Sequence, residues 1–400
     1  MFAGGPDGAS AVLSVIAGSM TTIAGVVFSM TLVVLSLASS QLGPRLLRSF
    51  MRDPPTQVVL GTFVATFLYC VLVMLTIRRG DEEAFVPHLS VTVGVLLAVI
   101  SLGVLIYFIH HVAISIQANQ VVARVGHELI DVLERLFPET IGQRPAESAP
   151  APDAAFLRRL DREAEPVCSS GDGYLQFIDA DALMTLAERE DVVVRLECHP
   201  GHYVVAGGPL LRVWPTGQRA DEFAGEVNAA FALGNQRTSG QDIEFALFEL
   251  VEIAVRALSP GINDPFTAVA CIDRLGSALC RLATREMPSP YRHDSEGKLR
   301  VIAPSPSFPA MVDAGFDQIR QHGRTNAAVS IRLMETLAAI KAFAHRPDDR
   351  EALLRQAEMI RRGAWQGFPE QEDRKALEES YRAVKQGSRR RCRKNDCPHG

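Results

Sequence analysis

Three stretches of this chain, Ala11–Leu37, Val58–Ile77 and Leu89–Ile109, are almost wholly apolar. A bilayer hydrocarbon core about 30 Å thick needs roughly 20 apolar residues at about 1.5 Å each. Each stretch meets that length and is too long and too apolar for a soluble core helix, so the pattern predicts three membrane spans. No Asp, Glu, Lys, Arg or His occurs from Gly8 to Pro44 or from Pro54 to Ile77. Between Glu83 and Arg124 the titratable side chains are His88, Tyr107, His110 and His111. The pattern then becomes amphipathic. Ile114, Val121, Val122, Val125, Leu129, Val132, Leu133 and Leu136 recur at helical spacing with no breaker before Pro138, which predicts that the third span runs on as one long helix.

Pro138–Asp153 carries Pro145, Pro150 and Pro152 among small and polar residues and reads as a linker. Short strands are expected at Pro166–Ser169, Tyr174–Asp179, Val192–Cys198 and Leu210–Trp214, bounded by Gly-rich and Pro-rich turns, with a helix at Ala180–Arg189. From Asp221 onward the expectation is helical. The segments are Gln241–Leu258, a helix started by Asp264-Pro265, Pro309–His322, Asn326–Ala344, Arg350–Gly363 and Pro369–Lys385. The fold class predicted is a mainly α membrane protein whose three transmembrane helices precede a cytoplasmic part with a small β-rich module and a helical bundle. The boundaries are 1–137 for the membrane part with its juxtamembrane helix, 138–163 for the linker and 164–218 for the β-rich module. The helical domain follows at 219–386, and a basic tail, expected to be disordered, at 387–400.

The average of 22% charged residues hides this asymmetry, because nearly all the charge lies beyond Arg124. A net charge of -5 argues against a nucleic-acid partner. Cys70, Cys168, Cys198, Cys271, Cys280, Cys392 and Cys397 have no framework spacing and fit a reducing compartment. No cleavable leader is evident, since the start lacks a basic flank. Arg45, Arg48 and Arg52 in the first loop, against no basic residue before the first span, place that loop inside. Arg78 and Arg79 in the second loop pull mildly the other way. The N-terminus is then outside and the C-terminal domain in the cytoplasm of a bacterial inner membrane.

In the first span Ala17, Thr21, Gly25 and Ser29 recur every four residues, with Ser14, Gly18 and Thr22 beside them. This small face suits close helix packing, in which the chain associates with itself. The sharper reading is the lining of a pore. The spans contain no Asp, Glu, Lys or Arg, which counts against a charge-driven pump.

Beyond the membrane, the candidate anion or ligand site is Arg237, Thr238, Gln241 and Asp242 with Asn263 and Asp264. Two helix beginnings converging there would offer N–H groups and a guanidinium to an anion. The plainer reading makes Asp264 a cap and Asp242 a first-turn acid. Asp242, Glu249 and Glu252 form a carboxylate stripe that a hydrolase would need to oppose with a second acid. No catalytic residue, cofactor or metal site is assigned. Adjacent His110 and His111 chelate poorly, and Cys392, Cys397 and His399 match no standard zinc spacing. The basic run Arg389–Lys394 is expected to touch anionic lipid headgroups. The chain contains no P-loop, HExxH or GxSxG motif.

The piece "PGHYVVAGGPLLRV" is similar to the turn-rich half of a lipoyl-like barrel-sandwich, although no lysine lies between Arg158 and Gly217 to act as a carrier. "AGSMTTIAGVVFSMTLVVLSLASSQLGPRLL", "RTSGQDIEFAL" and "ALSPGINDPFTA" together resemble the bacterial predicted membrane proteins of domain of unknown function 2254, over about Gly4 to Gly363. The resemblance implies a multi-span inner-membrane protein with a cytoplasmic C-terminal region and no established activity. Members of that family usually carry further hydrophobic sequence before the segment that opens this chain at Met1. The function expected is an oligomeric, channel-like or transport-related protein with a cytoplasmic regulatory domain. The alternative is a membrane-anchored binding or scaffold protein, and a membrane-bound enzyme comes third.

Overall fold

The computed structural model describes residues 4–42, 54–78, 85–115, 117–137, 152–217 and 221–386. They fall in two compact units, Met1–Val121 and Val122–Gly400. Outside the described residues lie the loop arginines Arg45, Arg48, Arg52 and Arg79, most of the 138–153 linker, and the tail with Arg389–Lys394, Cys392, Cys397 and His399.

The first unit consists of helices α1 (Pro6–Leu42), α2 (Pro54–Thr76) and α3 (His88–Ser115). Within them Pro6–Leu37, Pro55–Thr76 and His88–Ile114 are long and apolar enough to cross a membrane, as the hydropathy pattern predicts. The three helices pack on one another. Leu13, Phe63, Cys70 and Val91 are fully buried in the space between them. Gly94 marks the closest approach, because a Cβ there would stand 3.0 Å from Leu13 Cδ2 and 3.7 Å from Tyr69 Cε1. Polar groups inside are paired: Thr66 and Ser101 share a hydroxyl bond of 3.1 Å, and Tyr69 donates to the Ser90 carbonyl at 3.1 Å. Such interhelical bonds contribute about 0.6 kcal/mol on average in lipid.

The expected continuous helix from the third span is in fact two. Helix α3 ends at Ser115 and α4 (Ala118–Leu136) begins after the non-helical Gln117, with residue 116 outside the described set. Apolar periodicity reports which face is buried and is blind to a break made without Pro or Gly.

In the second unit the remainder of α4 buries Val122, Val125, Leu129 and Leu133. Gly126 lets it approach α9 (Pro265–Ala283), since a Cβ there would lie 3.1 Å from Arg274 Cβ. The buried Arg285 guanidinium donates to the Leu133 and Phe137 carbonyls, satisfying groups that a helix C-terminus leaves without partners. Residues 154–163, expected as the end of the linker, form helix α5 (Ala154–Glu163), whose Leu160 is fully buried.

The predicted strands and helix are present as β1 (Glu165–Cys168), β2 (Gly173–Ile178), α6 (Ala180–Arg189), β3 (Val193–Leu196) and β5 (Pro209–Trp214), with a further short β4 (Tyr203–Val204). The expectation of an all-helical chain beyond Asp221 is corrected. After α7 (Asp221–Ala229) come β6 (Phe231–Gly234) and, past α9, β7 (Tyr291–His293) and β8 (Leu299–Ile302). One sheet has the order β1-β5-β3-β8-β7, with β3 and β8 parallel, and the other has the order β4-β2-β6. The lipoyl-like segment is thus divided, β4 pairing with β2 and β5 with β1 and β3. Leu175, Leu183, Val194, Leu210, Leu211 and Val227 form the core under the sheets.

The helical part comprises α8 (Ile243–Ala257), α9, α10 (Phe308–Gly323), α11 (Ala327–Phe343), α12 (Pro347–Gly367) and α13 (Gln371–Gln386). Helix α9 packs on α8 and α11, and α12 packs on α10 and α11. Leu250, Ile272, Phe316, Leu333, Leu337 and Leu353 are fully buried there. Caps fix the helix starts: Ser307 accepts from Ala310 N and Asn326 from Val329 N.

Candidate functional site

The small face of α1 is divided by the packing. Ala17 points inward with Leu13, Met20 and Val27, whereas Gly18, Thr21, Gly25 and Ser29 are exposed on the unit. A Cβ added at Gly18 or Gly25 would meet nothing within 4 Å. Thr21 and Thr22 donate to the carbonyls of Ala17 and Gly18, four residues back, at 3.1 and 3.0 Å. These hydroxyls are satisfied within the helix and do not require water.

Of the polar set in the second unit, the structure brings Arg237, Gln241 and Asp242 together at the start of α8. Asp242 is buried and caps α8 by accepting from Phe245 N at 3.0 Å. It also takes a bidentate pair from Arg237, Nε to Oδ2 at 2.7 Å and Nη2 to Oδ1 at 2.9 Å. The Arg237 guanidinium lies over the rings of Phe245 and Phe248, 5.9 and 5.3 Å from their centroids. Gln241 clips the same helix start to β2, accepting from Ile178 N at 2.9 Å and donating to Ile178 O at 3.1 Å. Thr238 lies half-buried in the connecting turn.

Asn263 and Asp264 are elsewhere, at the far end of α8. Asp264 N donates to Ala257 O at 2.7 Å, closing α8, and its carboxylate caps α9 through Phe266 N and Thr267 N. Asn263 takes a positive φ of 51° in that turn. A 15-residue helix at about 1.5 Å per residue separates the two groups by roughly 20 Å. The two helix beginnings named by the sequence therefore do not converge, and Arg237 is occupied by Asp242. In the carboxylate stripe, Glu252 pairs with Arg256 at 3.4 Å and Asp242 with Arg237.

A different convergence is present. The first residues of α6, α8 and α10 all face one cavity of about 670 Å³. Its apolar wall includes Leu183, Met184, Leu196, Val301 and Met311, and the end of α4 adds Leu136 and Phe137. Its polar wall includes Asp181, His199, Gln241, Glu244, Arg292 and Ser307. His199 directs Nδ1–H to Pro200 O at 2.9 Å, which leaves Nε2 as the acceptor of the neutral ring. Its centroid is 3.5 Å from that of His202. Burial, the neighbouring His199 and then Arg237 hold His202 below the usual imidazole range. Cys198, also on the wall, is pushed up to about 11 by burial and by Glu197, so it is a neutral thiol at physiological pH and no nucleophile.

Sequence reasoning reached Gln241 and Asp242 and the helices α6 and α10, and missed His199, His202 and the cavity that the starts of α6 and α10 share. The "CHPGH" run at 198–202 was a visible signal, and Ser307 two residues before Pro309 was a visible cap. The meeting of His199 with these helix starts at one cavity is a tertiary fact with no local signature. Among the described residues no group of three or more His, Cys, Asp or Glu could hold a metal.

Comparison with known proteins gives the relationship. The family described as predicted membrane protein, domain of unknown function 2254 (DUF2254), matches residues 1–339. An uncharacterized protein of Mycobacterium bovis is 36% identical over 380 residues, covering 94% of this chain and 71% of its own length. An uncharacterized protein of Mycobacterium tuberculosis strain H37Rv matches to the same extent. No solved structure matches. With three apolar helices in place and the match extending to residue 339 in the second unit, the chain belongs to the DUF2254 family of predicted membrane proteins.

Proposed function

We propose that this is a membrane-anchored binding protein whose spans hold copies together and whose soluble unit receives a small molecule. The observation that carries the reading is the 670 Å³ cavity, which lies within the range of about 300–1,000 Å³ common for ligand pockets. By contrast, the space between the three spans is filled by Leu13, Phe63, Cys70 and Val91. The inner membrane is the proposed site, with the soluble unit in the cytoplasm, supported by the three arginines of the first loop. The basic tail is proposed to contact anionic headgroups.

Self-association is assigned to the open face of α1, where Gly18 and Gly25 leave room for a second backbone. A channel-like assembly around that face is the second reading, favoured by the same exposure. Regulation would then pass through α4, which follows the third span in sequence and ends in the cavity wall.

Single cysteines at Gly18, Gly25 and Ser29, in vesicles and in a background with all seven native cysteines replaced by alanine, separate the two. The binding protein predicts disulfide cross-links between copies and protection from water-soluble maleimides at all three. Labelling along the stripe, together with ion conductance, would establish the channel instead.

A further inference from the structure

The cavity between α6, α8 and α10 carries a statement about the class of its ligand, resting on the reading of the soluble unit as a binding module. Most polar groups on its wall are already engaged in the fold. Gln241 spends both amide atoms on Ile178, and Asp242 is held by Arg237 and Phe245 N. Ser305 donates to Pro288 O at 2.6 Å, Ser307 accepts from Ala310 N at 3.3 Å, and Cys198 donates to Leu210 O. The charges also offset one another. Asp181, Asp242 and Glu244 on the wall stand with Arg292 and the positive ends of three helices, and Arg237 pairs with Asp242 from outside the lining. Arg292 on the wall has its Nη1 on Ser289 O and stands among Asp181, Asp242 and Glu244, so an ionic ligand of either sign would lose its hydration against a wall of mixed charge, a cost of several kcal/mol. Leu183, Met184, Leu196, Val301 and Met311 offer apolar surface, and methionines adapt to irregular shapes. His199 Nε2 remains as one acceptor for a hydroxyl or amide.

We infer that the cavity binds an uncharged, largely apolar small molecule with one hydrogen-bond donor at the His199 end. This chemistry has two sources, an acyl chain drawn from the bilayer or a free aromatic lipophile, and the experiment is arranged to tell them apart.

The full chain in nanodiscs is irradiated with one of three probes, and adducts are mapped by peptide mass spectrometry. The probes are trifluoromethyl phenyl diazirine, a hexadecanol with a mid-chain diazirine, and the benzoate analogue of the first. Adducts are expected on the peptides containing Met184 and Met311. Labelling by the aromatic probe alone identifies a free lipophile, and labelling by the alcohol identifies an acyl chain. The benzoate should label these peptides about ten-fold less than its neutral parent, and Ala310→Trp should lower the neutral labelling about ten-fold. Adducts on α1–α3 peptides should not change, which normalises for partition into lipid. Ala310 is exposed at the cavity wall, so tryptophan there is compatible with folding, and Ala303→Phe fills the same space from another side.

Absence of neutral adducts at Met184 and Met311, equal labelling by the benzoate, or indifference to both filling variants would overturn the inference. A cysteine at Ala303, with the seven native cysteines replaced by alanine because Cys198 lines the same cavity and Cys168 is exposed, separates this failure from that of the binding reading. If it reacts with a small water-soluble thiosulfonate while the lipophiles fail, the cavity is open and only its ligand class is wrong. If both fail, the binding reading falls too.

Discussion

Asp242→Ala is expected to destabilise the soluble unit by about 3–5 kcal/mol, lowering its melting temperature by roughly 10 °C. The carboxylate does two things at once. It caps α8 at Phe245 N and neutralises Arg237 through two short bonds, with its side chain 3% exposed and that of Arg237 21%. Removing it leaves a largely buried guanidinium with Glu244, 3.8 Å away, as its nearest alternative partner. Arg237→Ala should cost a similar amount, because the Asp242 charge is then stranded. The double variant Arg237→Met, Asp242→Ser should lose clearly less than the two single losses added together, since serine retains a cap and no charge remains. The readout is clean because the chain has two tryptophans, Trp214 in β5 and Trp365 in α12, both in the soluble unit. Their fluorescence melts that unit independently of the spans. A melting point of Asp242→Ala within a degree or two of wild type would show that the pair does not hold the α8 start.

Gly201→Ala should be nearly as severe, at about 3 kcal/mol, for a reason that combines backbone and contact. Gly201 has φ of 97°, a conformation L residues rarely adopt. A Cβ there would fall 2.8 Å from Arg237 Nη2 and inside contact distance of Asp242 Oδ2. The methyl group would therefore strain its own turn and push the ion pair apart. Gly207→Ala is the control, with φ of 78° and nothing within 4 Å of the added atom. It should cost only the backbone penalty, about 1–2 kcal/mol. Equal losses at the two glycines in the same tryptophan-monitored melt would remove the argument that Gly201 is shaped to the Arg237–Asp242 pair.

Much of the fold was legible because the signals were local. Long apolar runs located the spans, and Asp264-Pro265 named the start of α9 to the residue. Strands β6, β7 and β8 were overlooked because each is three or four residues long, and β6 and β8 also have partners far away in sequence, β2 and β3. One clue went unread: Asp294 accepts from Glu296 N and Lys298 N, and Gly297 takes φ of 79°, so "DSEG" is the hairpin turn between β7 and β8. Arg237, Gln241 and Asp242 share a helix start, and the helix expected at Gln241–Leu258 already set Asn263 and Asp264 a helix length away, against the convergence proposed for them. The cavity itself depends on three helices from separate parts of the chain, and no single segment encodes it.

The most direct test of the central claim is the reaction of Ala303→Cys with a small uncharged thiosulfonate, in the full chain in nanodiscs with the seven native cysteines replaced by alanine, since Cys198 lines the same cavity and Cys168 is exposed. Ala303 lines the cavity and is half-buried, and the variant is compared with and without Ala310→Trp. An open binding cavity predicts rapid modification that tryptophan at 310 slows about ten-fold. Modification that is slow in both proteins, or equally fast in both, would mean that α6, α8 and α10 do not enclose an accessible space, and the binding function would be abandoned.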